Sequence, residues 1–217
     1  MKIPKFFSTT EGKFTAFLIA LFVILFGYYF FDSGASGTVK NVEINQNDHI
    51  RGAVNAKVTL VEFGDFQCPA CGSYEPIVRQ VMSDNKDILR IVFRQFPLTS
   101  IHQNSLVASK ATEAASLQGK FWEMHDMLYD KQKDWSSSSD ARSVITDYAK
   151  ALGLDVNKFS KDMDDKTLED KIMAQYKEGV DLGVQGTPTF FLNGKKIDNP
   201  QTAADFDQLV KQEASTQ

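Results

Sequence analysis

The sequence predicts an α/β domain that is interrupted by a long helical block and preceded by a single N-terminal transmembrane helix. Three observations carry this prediction. An apolar, β-branched run from Val58 to Phe63 leads into Cys68-Pro69-Ala70-Cys71 at the start of a helix. A second strand follows that helix, and a strand pair around Asn193-Gly194 comes much later, with only helical patterns between them. Phe14 to Phe31 runs for 18 residues without a charge.

From the N-terminus, Met1 to Gly12 is polar and mildly basic. The apolar run that follows is about 27 Å long as a helix at ~1.5 Å per residue, close to the hydrocarbon thickness of a bilayer. Tyr28 and Tyr29 suit the far interface, and Lys2, Lys5 and Lys13 place the N-terminus inside and the rest outside the cytoplasm. The run exceeds the usual ~7–15-residue core of a cleavable signal peptide, which favours an uncleaved anchor. Cleavage near Ser33-Gly34-Ala35 is the alternative. This gives a cytoplasmic stretch at 1–13, a signal anchor at 14–31 and a Gly/Ser-containing tether at 32–47, with the rest of the chain outside the membrane.

The first part of the domain covers 48–99. Gly64 and Asp65 end the first strand. Pro69 suits an early helical position, where its missing N–H has no partner to lose. Ile77, Val78, Val81 and Met82 continue that helix inward. Ile88 to Phe96 reads as a second strand, parallel to the first through a βαβ crossover. Residues 100–182 are too long for a loop and read as helices: Ser105 to Gln118, Phe121 to Tyr129, a helix capped by Asp140, a short one after Asp155, and Thr167 to Leu182 with Leu168, Ile172, Tyr176 and Val180 aligned. The second part, 183–217, begins at Gly186-Thr187-Pro188-Thr189. Asn193-Gly194 signals a type I′ hairpin, and Thr202 to Asp205 resembles a capping box that opens a terminal helix.

The chemistry lies in Cys68 and Cys71, the only cysteines. The thiolate is the nucleophile of thiol–disulfide exchange. The unpaired amides and partial positive charge of a helix N-terminus stabilise it. Cys68, just ahead of the helix, is expected to be the exposed sulfur of low pKa. Cys71, one turn inside, is the buried resolving thiol. The two can close a small disulfide ring. Glu62 sits in a run that implies burial on both faces, so its pKa should be raised. It is placed to take the Cys71 proton during resolution. The alternative is an edge-strand glutamate in solvent.

The order strand, CxxC, helix resembles the thioredoxin arrangement. With Glu62, Cys68-Pro69-Ala70-Cys71, Pro76 and Thr187-Pro188 in that order, the sequence resembles the extracytoplasmic thiol–disulfide oxidoreductases of the DsbA family, from residue 48 to 213. The resemblance implies a thioredoxin-like fold with an inserted helical domain. It also implies a cis Pro188 beside the disulfide and a substrate-binding role for Thr187 and Pro188. Exported proteins in reduced or unfolded form are the implied substrates, and a quinone-linked membrane protein of the DsbB or VKOR type the implied redox partner. Relatives that are strong oxidants often carry histidine between the cysteines. Ala70 stands there in this chain, so a weaker oxidant is expected. A tethered reductase or isomerase is the alternative, and a non-enzymatic peptide-binding or chaperone module a further one.

Composition narrows the remaining classes. A net charge of −4 gives no sign of nucleic-acid binding. With no second CxxC and no histidine at ligand spacing, no metal is expected. No cofactor is expected beyond the redox-active Cys68–Cys71 pair. His49 is read as inert, His102 as a loop or packing histidine with a position near the active site as the alternative, and His125 as part of the helical packing. Trp122 and Trp135 are read as core and loop anchors, and Asp162 to Asp170 as a solvated surface. Of Phe63, Phe66 and Tyr74, some are expected to form an apolar rim for client chains, with Phe63 assigned to the core.

Overall fold

The computed structural model describes residues 18–26 and 41–216. The chain divides into two units, Met1–Lys40 and Asn41–Gln217. In the first, residues 18–26 form helix α1, with its apolar side chains exposed. The rest of the expected span 14–31 lies outside the described residues. Among the described residues, no helix is long and apolar enough to cross a membrane.

The second unit is built on a five-stranded sheet of order β1-β3-β2-β4-β5. Its strands are β1 (His49–Gly52), β2 (Val58–Gly64), β3 (Leu89–Gln95), β4 (Thr189–Leu192) and β5 (Lys195–Lys196). Strand β2 is central, parallel to β3 and antiparallel to β4, and all seven of its residues are buried. The crossover from β2 to β3 is α2 (Pro69–Asp84), and the chain closes with α9 (Ala203–Ser215). Alternation along β2 sends Val58 and Leu60 to one face, where they pack with Val78 and Val81 of α2 and Phe206 and Val210 of α9. Val61 and Phe63 go to the other face, against Phe96, Val184 and Phe191.

Between β3 and β4, among the described residues, lie six helices: α3 (Ser105–Ser116), α4 (Phe121–Asp130), α5 (Gln132–Trp135), α6 (Ala141–Ala151), α7 (Val156–Met163) and α8 (Lys166–Asp181). They enclose their own core, and that core takes in Phe66, Cys68, Cys71 and Phe93. The two cysteines therefore sit where the sheet and the helical block meet. Asp140, Asp155, Asp165 and Thr202 each accept a first-turn amide at a helix start. Asn193 and Gly194 have φ of 44° and 85°, as the tight turn between β4 and β5 requires.

Several expectations need correction. Strand β1 carries no sequence signal of its own. It is short, holds His49 and Arg51, and exists because it pairs antiparallel with β3. His49 is accordingly not inert. Its Nε2 lies 3.0 Å from the buried Glu113 carboxylate, and its ring stacks on Phe121. Residues 41–47, read as tether, pack against the sheet: Val42 is buried and donates its amide to Gly194 O. Helix α8 turns Gln175 and Gly179 inward and leaves Val180 exposed. Gly179 sits under the Phe96 ring, where a Cβ would approach to 2.7 Å.

Candidate active site

Strand β2 ends at Gly64, and the next four residues turn the chain into α2. Cys68 is the N-cap residue, with extended backbone (φ −66°, ψ 121°) and Pro69 following. Its amide bonds Asp65 O at 3.0 Å. The turn is braced by the buried Asp65 side chain. Asp65 Oδ1 accepts the Gln67 amide at 2.8 Å, and Oδ2 accepts the Leu98 amide at 3.0 Å. His102 Nδ1 lies 2.7 Å from the same Oδ2. His102 is thus a loop histidine that also lies beside the Cys68 turn, the less favoured of its two expected positions, and it holds its loop against that turn.

Both cysteines are free thiols. Cys68 retains 7% of its surface and Cys71 1%. The expectation of an exposed Cys68 is corrected: the chain around Thr187 covers it, and its thiol donates to Thr187 O at 3.4 Å. The expected asymmetry in acidity is present. A hydrogen bond from the Cys71 thiol is the largest influence lowering the Cys68 pKa, to about 5. Burial opposes that shift, while the Thr187 hydroxyl and the amides of Cys71 and Ala70 add to it. Among the described residues the Thr187 hydroxyl has no other partner, which leaves it free to donate to a thiolate at Cys68. Burial pushes Cys71 the other way, well above the ordinary thiol value, with the Cys68 bond and the Glu62 charge adding to the rise.

Glu62 sits in the middle of β2, opposite Phe93 on one side and Phe190 on the other. It is 2% exposed, and its Oε2 has no partner among the described residues. The edge-strand alternative therefore fails. Burial raises its pKa well above the carboxylate range, with the charges of Glu75 and Cys68 contributing. Two further groups share this interior and were missed from sequence. Glu75, four residues after Cys71 on the same helix, is buried and accepts from Arg79 Nε at 2.7 Å. Tyr129 of α4 has a buried hydroxyl without a partner among the described residues; burial raises its pKa, as do the nearby Cys71 and Glu62. The i+4 spacing of Glu75 was readable in the sequence, whereas nothing local pointed to Tyr129.

Thr187-Pro188 is a cis peptide bond and lies against Cys68 through the Thr187 carbonyl. The expected apolar rim is largely absent among the described residues. Phe63 and Phe66 are fully buried, Phe63 edge-on to Phe96 and Phe191 and Phe66 stacked on Phe93, and only Tyr74 of the three is partly exposed. Phe66 is drawn inward by Phe93, Tyr129 and His125. Trp135 is fully buried and Trp122 partly so. Glu75, His125 and Asp126 bring possible metal-ligand atoms within 4.8 Å of one another. Their carboxylates are already committed, however. Arg79 binds Glu75, and Arg51 makes a two-pronged pair with Asp126. Hydrogen bonds from His125 and Arg51 hold the Asp126 pKa down at about 2 against the opposing effect of burial. The set reads as a closed ion-pair network. A cavity of about 260 Å³ lies beside it, lined by Val78, Met82, Ile91, Trp122 and His125 among others.

A family model described as thioredoxin matches residues 44–212. Among solved structures, a thioredoxin-like oxidoreductase from Silicibacter pomeroyi DSS-3 aligns with 25% identity and a TM-score of 0.67, over 80% of this chain and 95% of that one. BdbD from Bacillus subtilis aligns at 23% identity and TM-score 0.71, over 82% and 98%. Wolbachia pipientis alpha-DsbA1 aligns at 18% and 0.69, over 81% and 94%. These likenesses carry the fold, a thioredoxin-like sheet with an inserted helical block. Among curated proteins, Na(+)/H(+) antiporter NhaA 1 of Salinispora arenicola is 44% identical over 150 residues, which is 69% of this chain. The chain spans only 22% of that relative's length, so the antiporter name describes a protein mostly outside the match. The family match covers most of the chain, from the segment ahead of β1 to the last turns of α9, and the chain belongs to the thioredoxin family.

Proposed function

We propose that this chain is a membrane-anchored, extracytoplasmic thiol–disulfide oxidoreductase of the DsbA type that forms disulfides in exported proteins. The observation that carries the reading is the opposed acidity of the two cysteines, with Cys68 at about 5 and Cys71 raised, beside a buried Glu62. In the oxidised enzyme a substrate thiolate attacks Cys68 Sγ. The Cys68–Cys71 bond breaks, and the electron pair leaves on Cys71. Protonated Glu62 supplies the proton that the buried Cys71 thiolate needs. A second substrate thiolate then attacks the substrate sulfur of the mixed disulfide. The substrate leaves oxidised, and Cys68 departs as a stabilised thiolate. Run backwards, Glu62 takes the Cys71 proton so that Cys71 can resolve the mixed disulfide.

Thr187 and Pro188 are assigned to substrate binding on their position beside Cys68. The anchor at 14–31 would hold the domain outside the bacterial cell membrane, and a quinone-linked protein of the DsbB or VKOR type would reoxidise it. No cofactor beyond the cysteine pair and no metal enters the scheme. Ala70 supports a milder oxidant than relatives with histidine in that position.

The test is the reduction potential of Cys68–Cys71 against glutathione. A value near or above ~−180 to −120 mV supports a disulfide donor. A value near ~−270 mV would make the protein a tethered reductase instead.

A further inference from the structure

The active-site turn touches the helical block through side chains that the exchange reaction does not use. Gln132, the first residue of α5, donates from Nε2 to two main-chain carbonyls, Phe66 O at 2.7 Å and Cys68 O at 2.9 Å. One carboxamide thus bridges the carbonyl two residues ahead of the nucleophile and the carbonyl of the nucleophile itself. The attachment is reciprocal. Gln67 Nε2 donates to Ser136 O at 2.6 Å, and Gln67 Oε1 accepts the Asn104 amide at 2.6 Å. Asn104 Nδ2 donates to Ser136 O and Ser138 O. The far side is itself fixed, because fully buried Trp135 donates its indole N–H to Leu128 O at 2.8 Å.

The residue after Cys71 bears on the same contact. Gly72 lies inside α2, with ordinary helical backbone and no positive φ. A helical position of that kind normally favours alanine over glycine. At Gly72, however, a Cβ would stand 2.6 Å from Gln132 Oε1 and 3.1 Å from its Cδ and Nε2. The glycine leaves room for the carboxamide to lie flat against the first turn of α2.

We infer that Gln132 is a positioning residue of the Cys68 centre: its carboxamide fixes the main chain from Phe66 to Cys68, and Gly72 is glycine in order to admit it. The inference rests on the exchange chemistry proposed above and adds a determinant to it. The amides of Ala70 and Cys71 reach the Cys68 sulfur only while the Cys68 backbone keeps its extended cap geometry. The Gly72 amide, bound to Cys68 O at 3.1 Å, holds that carbonyl from the helix side. Gln132 holds it from the insertion side and ties it to Phe66 O.

The experiment uses the full chain in its reduced form and reads the pH dependence of Cys68 alkylation. The variants are Gln132→Met, which keeps the bulk and removes the donor, and Gly72→Ala, which keeps Gln132 and displaces it. Gln67→Met serves as a control, since it cuts the neighbouring attachment without touching Cys68. Gln132→Met and Gly72→Ala are each expected to raise the Cys68 pKa by about one unit, a tenfold loss of thiolate on the acid side, with Gln67→Met close to wild type. Wild-type pKa in both Gln132→Met and Gly72→Ala would overturn the inference, as would an equal rise in Gln67→Met. If Gln132→Met fails to fold, Gly72→Ala decides alone. A wild-type Cys68 that titrates as an ordinary thiol would instead overturn the exchange reading itself, so the two failures are separable.

Discussion

The Cys68 sulfur lies 3.4 Å from the carbonyl oxygen of Thr187, a residue 119 positions away in the chain, and the Thr187 hydroxyl, otherwise without a partner among the described residues, is placed to donate to a thiolate there. A hydrogen bond to a charged group contributes about 1.5–3 kcal/mol. Thr187→Val keeps the shape and removes that donor. The expected outcome is a Cys68 pKa raised from about 5 by about one unit, read from the pH profile of alkylation. An unchanged profile would leave the helix amides and Cys71 as the groups stabilising the thiolate.

Glu62→Gln separates the proton-transfer role from stability. As the acid–base partner of Cys71, Glu62 should contribute about a hundredfold to resolution of the mixed disulfide, measured by single-turnover release of substrate. The variant should also be more stable than wild type at neutral pH. Folded Glu62 titrates above its unfolded value of ~4.3. The stability that goes with its protonated form is fully present below that value and is lost as pH rises toward the folded pKa. The gain in melting temperature from Glu62→Gln should therefore appear at about pH 7 and vanish near the unfolded value of ~4.3.

The redox state should couple to pH in the opposite sense. Reduced Cys68 has a folded pKa of about 5, below its unfolded value of ~8.5. The stabilisation of the dithiol form is complete above the unfolded value and is lost as pH falls through about 5. The melting temperature of the reduced protein relative to the oxidised one should rise steadily from about pH 5 to about pH 8.5. A difference that does not vary with pH would remove the thiolate as the source of oxidising power.

Residues 41–48 are tied to the sheet through Arg94. Arg94 of β3 is fully buried and binds Asp48 through Nε and Nη2 at 2.9 and 2.7 Å, Glu178 at 2.7 Å and the Glu43 carbonyl. Arg94→Met leaves the buried Asp48 carboxylate without a cation, held only by the Asn45 amide at 2.8 Å, which should cost about 3–5 kcal/mol in denaturant unfolding. Adding Asp48→Asn should restore part of the loss. If the single change is neutral, the segment ahead of β1 contributes little to stability.

Elements governed by local rules were legible in the sequence. The run from Val58 to Phe63 marks β2, Asn193-Gly194 the hairpin, and Asp140 and Thr202 their helix starts, because in each case the determining residues are neighbours. Cys68, Cys71 and Glu62 stand out because their types carry chemistry wherever the chain places them. Strand β1 escaped because its identity comes from pairing with β3 rather than from its own composition. Asp65, Gln132 and the Thr187 hydroxyl escaped for a related reason. Each acts through contacts with main chain or sulfur that are set by the tertiary fold. The exposure of Cys68 was overestimated because the cover comes from the far end of the domain.

The bridge from Gln132 to the carbonyl of Cys68 means that the helical block is not an interchangeable cassette. Grafting this insertion onto a host whose second cysteine is followed by alanine would wedge a methyl group into the carboxamide. Deleting the insertion to reach a minimal thioredoxin would remove a strut from the centre it leaves behind. Moving the block to another host would require position 132 and position 72 to move together, as one structural unit split across the chain.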